Sequence, residues 1–210
     1  MDLNHEFTVA VPVDDAWLIL TDVERIAPCL PGAQLLEIEG DTYRGVVKVK
    51  VGPIQAQFKG QASFLERDNV NHKAVLKGEG RDTTGKGNAA AVITAQLTAL
   101  TPTSTEVKVN TDLSVTGKVA QFGRGAMADI SDKLLAQFVV NLNTLIAEQP
   151  SLVADAAAAE AAAPSEGVRT IDGPEAAPLN LLSVGGSPLL KRAIPVVAVV
   201  AAVVIWLLVK

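Results

Sequence analysis

The chain has 210 residues, of which 49% are apolar but only 4% aromatic, with one cysteine and a formal net charge of −5. A lone Cys29 excludes a disulfide framework, no Cys/His cluster exists to hold a structural zinc, and mild acidity argues against a nucleic-acid binder. The length suits one ordinary domain and something more, and the uneven spread of apolar residues divides the chain into 1–147, 148–190 and 193–209.

Residues 1–147 are dominated by strict alternation, the pattern of half-buried antiparallel strands. His5, Phe7, Val9 and Val11 alternate with polar or small residues until Pro12. Asp14 then reads as the cap of a short helix containing Trp17, Leu18 and Leu20, and Asp22 as the cap of a second turn ending at Pro28. Strands are expected at 33–39 and 42–51, joined at Gly40-Asp41, and at 54–65. In the last of these, Ile54, Ala56, Phe58, Gly60, Ala62 and Phe64 share one face. Further strands follow near 72–82, 86–99 and 104–116. The period then changes to 3.6, and Phe122, Ala126, Ile130, Leu134, Phe138 and Leu142 form one stripe of a long helix. An α+β architecture satisfies this order: a curved seven-stranded antiparallel sheet around a long helix that closes the domain.

The inward sheet face is unusually small, with Ala56, Gly60, Ala62, Ala74, Gly78, Gly80, Ala89, Ala91, Ala95 and Ala99. Interiors pack densely, so bulk must come from elsewhere or a gap remains. Either the sheet flattens and the helix approaches closely, or an apolar cavity persists. An empty cavity is costly, so a large one fits best with an apolar ligand inside.

Catalytic chemistry is sparse. Gly80 to Gly87 spells GxxxxGK, but Gly87 replaces the Ser or Thr that would hold magnesium, and a strand rather than a helix follows. A glycine-rich strand connection is the better reading. His5 reads as a core or rim residue, and Cys29, in an apolar Pro-Cys-Leu-Pro-Gly stretch, as a buried and inert thiol. No acid–base–nucleophile set stands out, so no catalytic and no metal-binding residue is assigned.

From Glu148 to Leu190 the chain is rich in proline and glycine, with an alanine-rich run at 151–163. It reads as a flexible, disordered linker with a reach of roughly 35–40 Å. Leu179, Leu181 and Leu182 form the apolar cluster inside it. Ala193 to Val209 reads AIPVVAVVAAVVIWLLV, and as a helix it would extend roughly 25 Å, slightly short of a bilayer core. Lys191, Arg192 and Lys210 can snorkel to the headgroups, and Trp206 suits an interface. A single-pass transmembrane helix is therefore expected. The N-terminal MDLNHEF carries no signal-peptide pattern, so the domain is expected on the cytoplasmic side of the cell membrane.

Several stretches together resemble the G-subunit family of carbon monoxide dehydrogenase, within the START-like helix-grip superfamily also called SRPBCC. They are Asp22-Val23-Glu24, Cys29-Leu30-Pro31-Gly32-Ala33, Val49-Lys50-Val51-Gly52-Pro53, Phe58-Lys59-Gly60, Gly78-x-Gly80-x-Asp82 with Gly85-x-Gly87, and Gly117 to Gly123. The resemblance implies a hydrophobic cavity between sheet and long helix. It also implies an accessory protein, not an enzyme, that recruits a carbon monoxide dehydrogenase or related molybdenum hydroxylase to the membrane. With a tethered apolar cup, the expected ligand is a respiratory quinone, menaquinone or ubiquinone, held without covalent attachment. Candidate lining residues are Phe58, Phe64, Leu76, Ile93, Leu113, Phe122, Ile130 and Leu134. Gly117, Gly123 and Gly125 are candidates for a gate at the mouth. A pure membrane scaffold and a small-molecule-processing helix-grip enzyme are the alternatives.

Overall fold

Alternation along the chain becomes a meander of antiparallel strands in a computed structural model that describes residues 1–51, 54–85, 87–148, 168–171 and 179–180. β1 (Asp2–Val9) leads into α1 (Val13–Thr21), α2 (Val23–Ile26) and a 3-10 turn at Ala27–Cys29. β2 (Ala33–Glu39), β3 (Thr42–Val51), β4 (Ile54–Asp68), β5 (Lys73–Asp82), β6 (Asn88–Thr101) and β7 (Ser104–Val115) follow, each pairing with the next. A 3-10 turn at Val119–Phe122 then opens α3 (Gly123–Glu148). Since β1 pairs with β7, the order across the sheet is β1-β7-β6-β5-β4-β3-β2. This is the helix-grip arrangement expected from the sequence.

Two helix details differ from expectation. The N-cap of α1 is Pro12, with no side-chain cap bond, so Asp14 sits inside the first turn and instead pairs with His72 at 3.0 Å. Asp22 does cap α2, accepting from the Arg25 amide. Phe122 lies in the 3-10 turn before α3, not on the helix stripe. The larger difference concerns the sheet and the linker. Two strands from 148–190, β8 (Val168–Thr170) and β9 (Leu179–Asn180), join the sheet, so among the described residues it has nine strands rather than seven. β8 runs antiparallel along β2, and β9 runs parallel to β3 beside Val49 and Lys50. The open edge of β2 offers unpaired backbone groups, and even three extended residues can satisfy them. The expected span 193–209, with Lys191, Arg192, Trp206 and Lys210, lies outside the described residues, as do Leu181 and Leu182. Among the described residues no helix is long and apolar enough to cross a membrane.

Register shifts between Leu35 and Glu37, Phe64 and Glu66, and Ala99 and Thr101 bend the sheet. Gly45, Gly60 and Gly80 stand in register across β3, β4 and β5. A Cβ on Gly60 would fall on the Glu79 carbonyl and lie 2.6 Å from Gly80 Cα, so neighbouring backbones come together there as no other residue allows. Gly60→Ala is accordingly expected to lower stability by about 1–3 kcal/mol, with a matching drop in thermal midpoint.

The packed core sits at one end. Val9, Ala16, Trp17, Ile19, Cys29, Ala74, Leu97, Val107 and Leu142 form a buried cluster where α1 and the C-terminal half of α3 meet the sheet. Trp17 donates its indole N–H to Asn69 at 3.0 Å and meets His72 edge-on, while Phe7 meets Phe138 edge-on. Asn141 Nδ2 donates to the Cys29 carbonyl at 2.9 Å, fixing α3 to the 3-10 turn. This is the closed end. The opposite end holds the last residues of β3, β5 and β7, the first of β4 and β6, and the entry to α3. Cys29 is buried as expected, and desolvation raises its thiol pKa, so the neutral form prevails at pH 7. A thiol-specific chromogenic reagent is expected to react with Cys29 only after denaturation.

Candidate functional site

The face of the sheet turned to α3 follows from register. Ala62, Gly78, Ala91 and Leu113 lie opposite one another across β4 to β7, as do Phe64, Leu76, Ile93 and Thr111 in the adjacent row. Ala74 and Leu97, on this face at the closed end, are buried. On the β1 side Leu3 and Met127 are buried too, and α3 makes its close backbone approach to β1 and to the Ala27–Cys29 turn. Toward the other end the middle strands differ. Phe58, Ala62, Gly78, Ala89, Ala91, Ile93 and Leu113 are only half-buried, although they lie on the concave face.

Gly78 makes the difference concrete. A Cβ built there meets no heavy atom within 4 Å, whereas a packed interior atom has neighbours at that distance. The small residues Ala62 and Ala91 flank it, so the concave face opens on unfilled space at this row. Among the candidate lining residues, Phe64 and Leu76 pack against the closed-end cluster. Phe64 also meets Tyr43 edge-on and carries the Arg67 guanidinium 5.3 Å above its ring. Phe58, Ile93 and Leu113 lie on the open half, and Ile130 and Leu134 are half-buried on α3. The Phe122 side chain lies outside what is described.

Two polar groups on this face are already engaged. Asp82, buried opposite Phe58, accepts from the Thr84 amide at 2.9 Å and from the Thr84 hydroxyl, which folds the turn between β5 and β6. The near-miss for a phosphate loop is thus a strand connection. Sequence reading overlooked Asp82 as a buried carboxylate, although Asp-Thr-Thr-Gly is a recognisable Asx turn. His5 Nε2 lies 3.0 Å from Asp132 Oδ1, bridging β1 to the middle of α3. Among the described residues no group of His, Cys, Asp and Glu could hold a metal ion. Of the candidate gate glycines, Gly117 (φ +79°) and Gly123 (φ +76°) occupy left-handed backbone, which by itself calls for glycine, and Gly125 lies in the first turn of α3. On the convex face an open groove of about 570 Å³ mixes charged and polar residues such as Arg44, Lys59, Glu79 and Arg81 with small and apolar ones such as Leu36 and Ala90.

Solved structures share the fold. A conserved protein from Geobacillus kaustophilus is 20% identical, with a TM-score of 0.65 over 71% of this chain and 97% of that one. An uncharacterised protein from Rhizobium leguminosarum, 12% identical, has a TM-score of 0.51 over 70% and 95%. A norcoclaurine synthase point mutant from Thalictrum flavum, in complex with a transition-state analogue, is 17% identical with a TM-score of 0.50 over 72% and 96%. No curated relative matches the chain. The sequence profile of the carbon monoxide dehydrogenase G subunit (CoxG) matches residues 6–147, from within β1 to the last turn of α3 and without β8 and β9. The chain belongs to this G-subunit family of carbon monoxide dehydrogenase.

Proposed function

We propose that this protein is a membrane-anchored accessory protein that recruits a carbon monoxide dehydrogenase, or a related molybdenum hydroxylase, to the membrane. In this reading it carries a lipophilic ligand, a respiratory quinone such as menaquinone or ubiquinone, in the hollow between the middle strands and α3. The family supports the partner. The observation that carries the ligand is the unfilled space over Gly78, set among apolar residues that stay half-buried.

The chemistry follows from what a quinone needs. Its isoprenoid tail gains roughly 0.8 kcal/mol per buried methylene and does not leave a bilayer unaided. Phe58, Ile93, Leu113, Ile130 and Leu134 would offer that tail an apolar wall, with Phe64 and Leu76 at the base. Two carboxylates near this wall are engaged within the protein, Asp82 by its turn and Asp132 by His5, and the Arg67 guanidinium lies over the Phe64 ring at the base. Residues 193–209 would span the membrane, with Lys191 and Arg192 at the cytoplasmic headgroups and Trp206 and Lys210 at the far interface. A tether raises the local concentration of recruited enzyme at the membrane. Gly117, Gly123 and Gly125 would let the entry to α3 move as the ligand passes.

Mass spectrometry of an organic extract of the full chain, purified from membranes, tests this. A prenylated quinone in near-stoichiometric amount is expected. An extract holding neither quinone nor other lipid would overturn the carrier and leave a scaffold.

A further inference from the structure

The tail does not leave the domain where α3 ends. α3 runs to Glu148 at the closed end, and the next described segment begins there as well, with Val168 opposite Glu39. β8 then runs along β2, and the Ile171 amide donates to the Leu36 carbonyl at 2.7 Å. Arg169 reaches from the strand to pair with Glu24 on α2. Further on, Leu179 and Asn180 lie beside Val49 and Lys50, on the part of β3 that extends past the start of β2. Because β9 is parallel to β3, the chain points toward the end where β3 meets β4. Its course is therefore from the closed end to the open end.

Charge is divided along the same axis. Lys48, Lys50, Lys59 and Arg81 on the convex face, with Lys118 and Arg124 at the entry to α3, lie toward the open end and outnumber Glu79 and the buried Asp82 there. Asp14, Asp15, Asp22, Glu24, Glu39, Asp41, Glu66 and Asp68 lie toward the closed end, outnumbering Arg25, Arg67, Lys73, Lys108 and Arg169 there. A basic end faces an anionic lipid surface more favourably than an acidic one.

We propose that Val168–Ile171 and Leu179–Asn180 act as a strap, two holds that bind the tail to the β2–β3 edge of its own domain and present the open, basic end to an anionic lipid surface. This orientation rests on the reading of 193–209 as an anchor. With Leu179 and Asn180 held on β3, only the residues that follow them separate the domain from the proposed anchor.

Two measurements on the full chain separate the strap from the anchor. In detergent solution, the Ile171 amide is expected to exchange with deuterium about tenfold more slowly in the wild type than in Arg169→Glu, which turns the ion pair with Glu24 into repulsion. An Ile171 amide that exchanges freely in the wild type overturns the strap. In vesicles of phosphatidylcholine and phosphatidylglycerol, fluorophores on Thr83→Cys and Val70→Cys, in a Cys29→Ala background, mark the open and closed ends. β5, which joins these turns over 10 residues, sets them roughly 33 Å apart, so energy transfer to a lipid-borne acceptor is expected to be at least about threefold stronger from Thr83→Cys. Adding Arg169→Glu and Ile171→Pro, which removes the bond to Leu36, is expected to erase that difference. Equal transfer from both ends in the strapped chain overturns the orientation. A chain that fails to float with vesicles overturns the anchor and the orientation with it, while the exchange result still decides the strap.

Discussion

Gly78→Leu is expected to reduce the bound lipophilic ligand at least about tenfold while leaving the domain as stable as before. Gly78 has no left-handed φ, and a Cβ there meets no heavy atom within 4 Å, so the backbone accepts a side chain that enters the open space. Losing a glycine from a strand interior should even stabilise by about 0.5–1 kcal/mol, because the unfolded chain has less freedom to lose. The added isobutyl group would occupy the space that ligand methylenes otherwise take. Excluding only two of them, at roughly 0.8 kcal/mol each, already lowers affinity about tenfold. Extracted quinone per protein, with thermal midpoints of variant and wild type, checks both halves. A stable variant with wild-type ligand content would move the ligand elsewhere. Ala91→Leu, across the strand pair from Gly78, should behave alike. Ala95→Phe should not, because Ala95 faces the buried Ala74 and a phenyl ring there would overpack the closed end.

Leu142→Ala is expected to have the opposite signature, a loss of about 2–5 kcal/mol of stability. Leu142 is 0% exposed and belongs to the cluster with Trp17, Cys29 and Leu97, so truncation leaves a void that a fixed backbone fills poorly. For a domain of this size each kcal/mol lowers the midpoint by roughly 2–4 °C, and a fall of roughly 5–15 °C is anticipated in a thermal melt. A fall below about 2 °C would show that this end is loosely packed and that emptiness is not confined to the Gly78 row.

The strands were legible because each of β3 to β7 buries one face, and burial of one face imposes alternation on the sequence. Register then followed, and with it the small residues of the concave face, including Gly78. Where the space lies was not legible. It depends on Trp17 and Leu142 filling one end, and their meeting joins parts of the chain far apart in sequence. β8 and β9 were hidden for another reason: three and two residues are too short to carry a period, and their stability comes from the edge they join. The cap of α1 was misread because an aspartate near a helix start usually caps, yet here Pro12 holds that position.

Trp17 and its neighbours seal one extremity of the sheet, and the outcome reaches beyond stability. For the ligand proposed above, a hollow closed at that extremity leaves one way in and out. In that reading the protein would not be a conduit with donor on one side and acceptor on the other. It would visit the two in turn, its traffic limited by how often it pivots between them, and a second cargo would wait for the first to go.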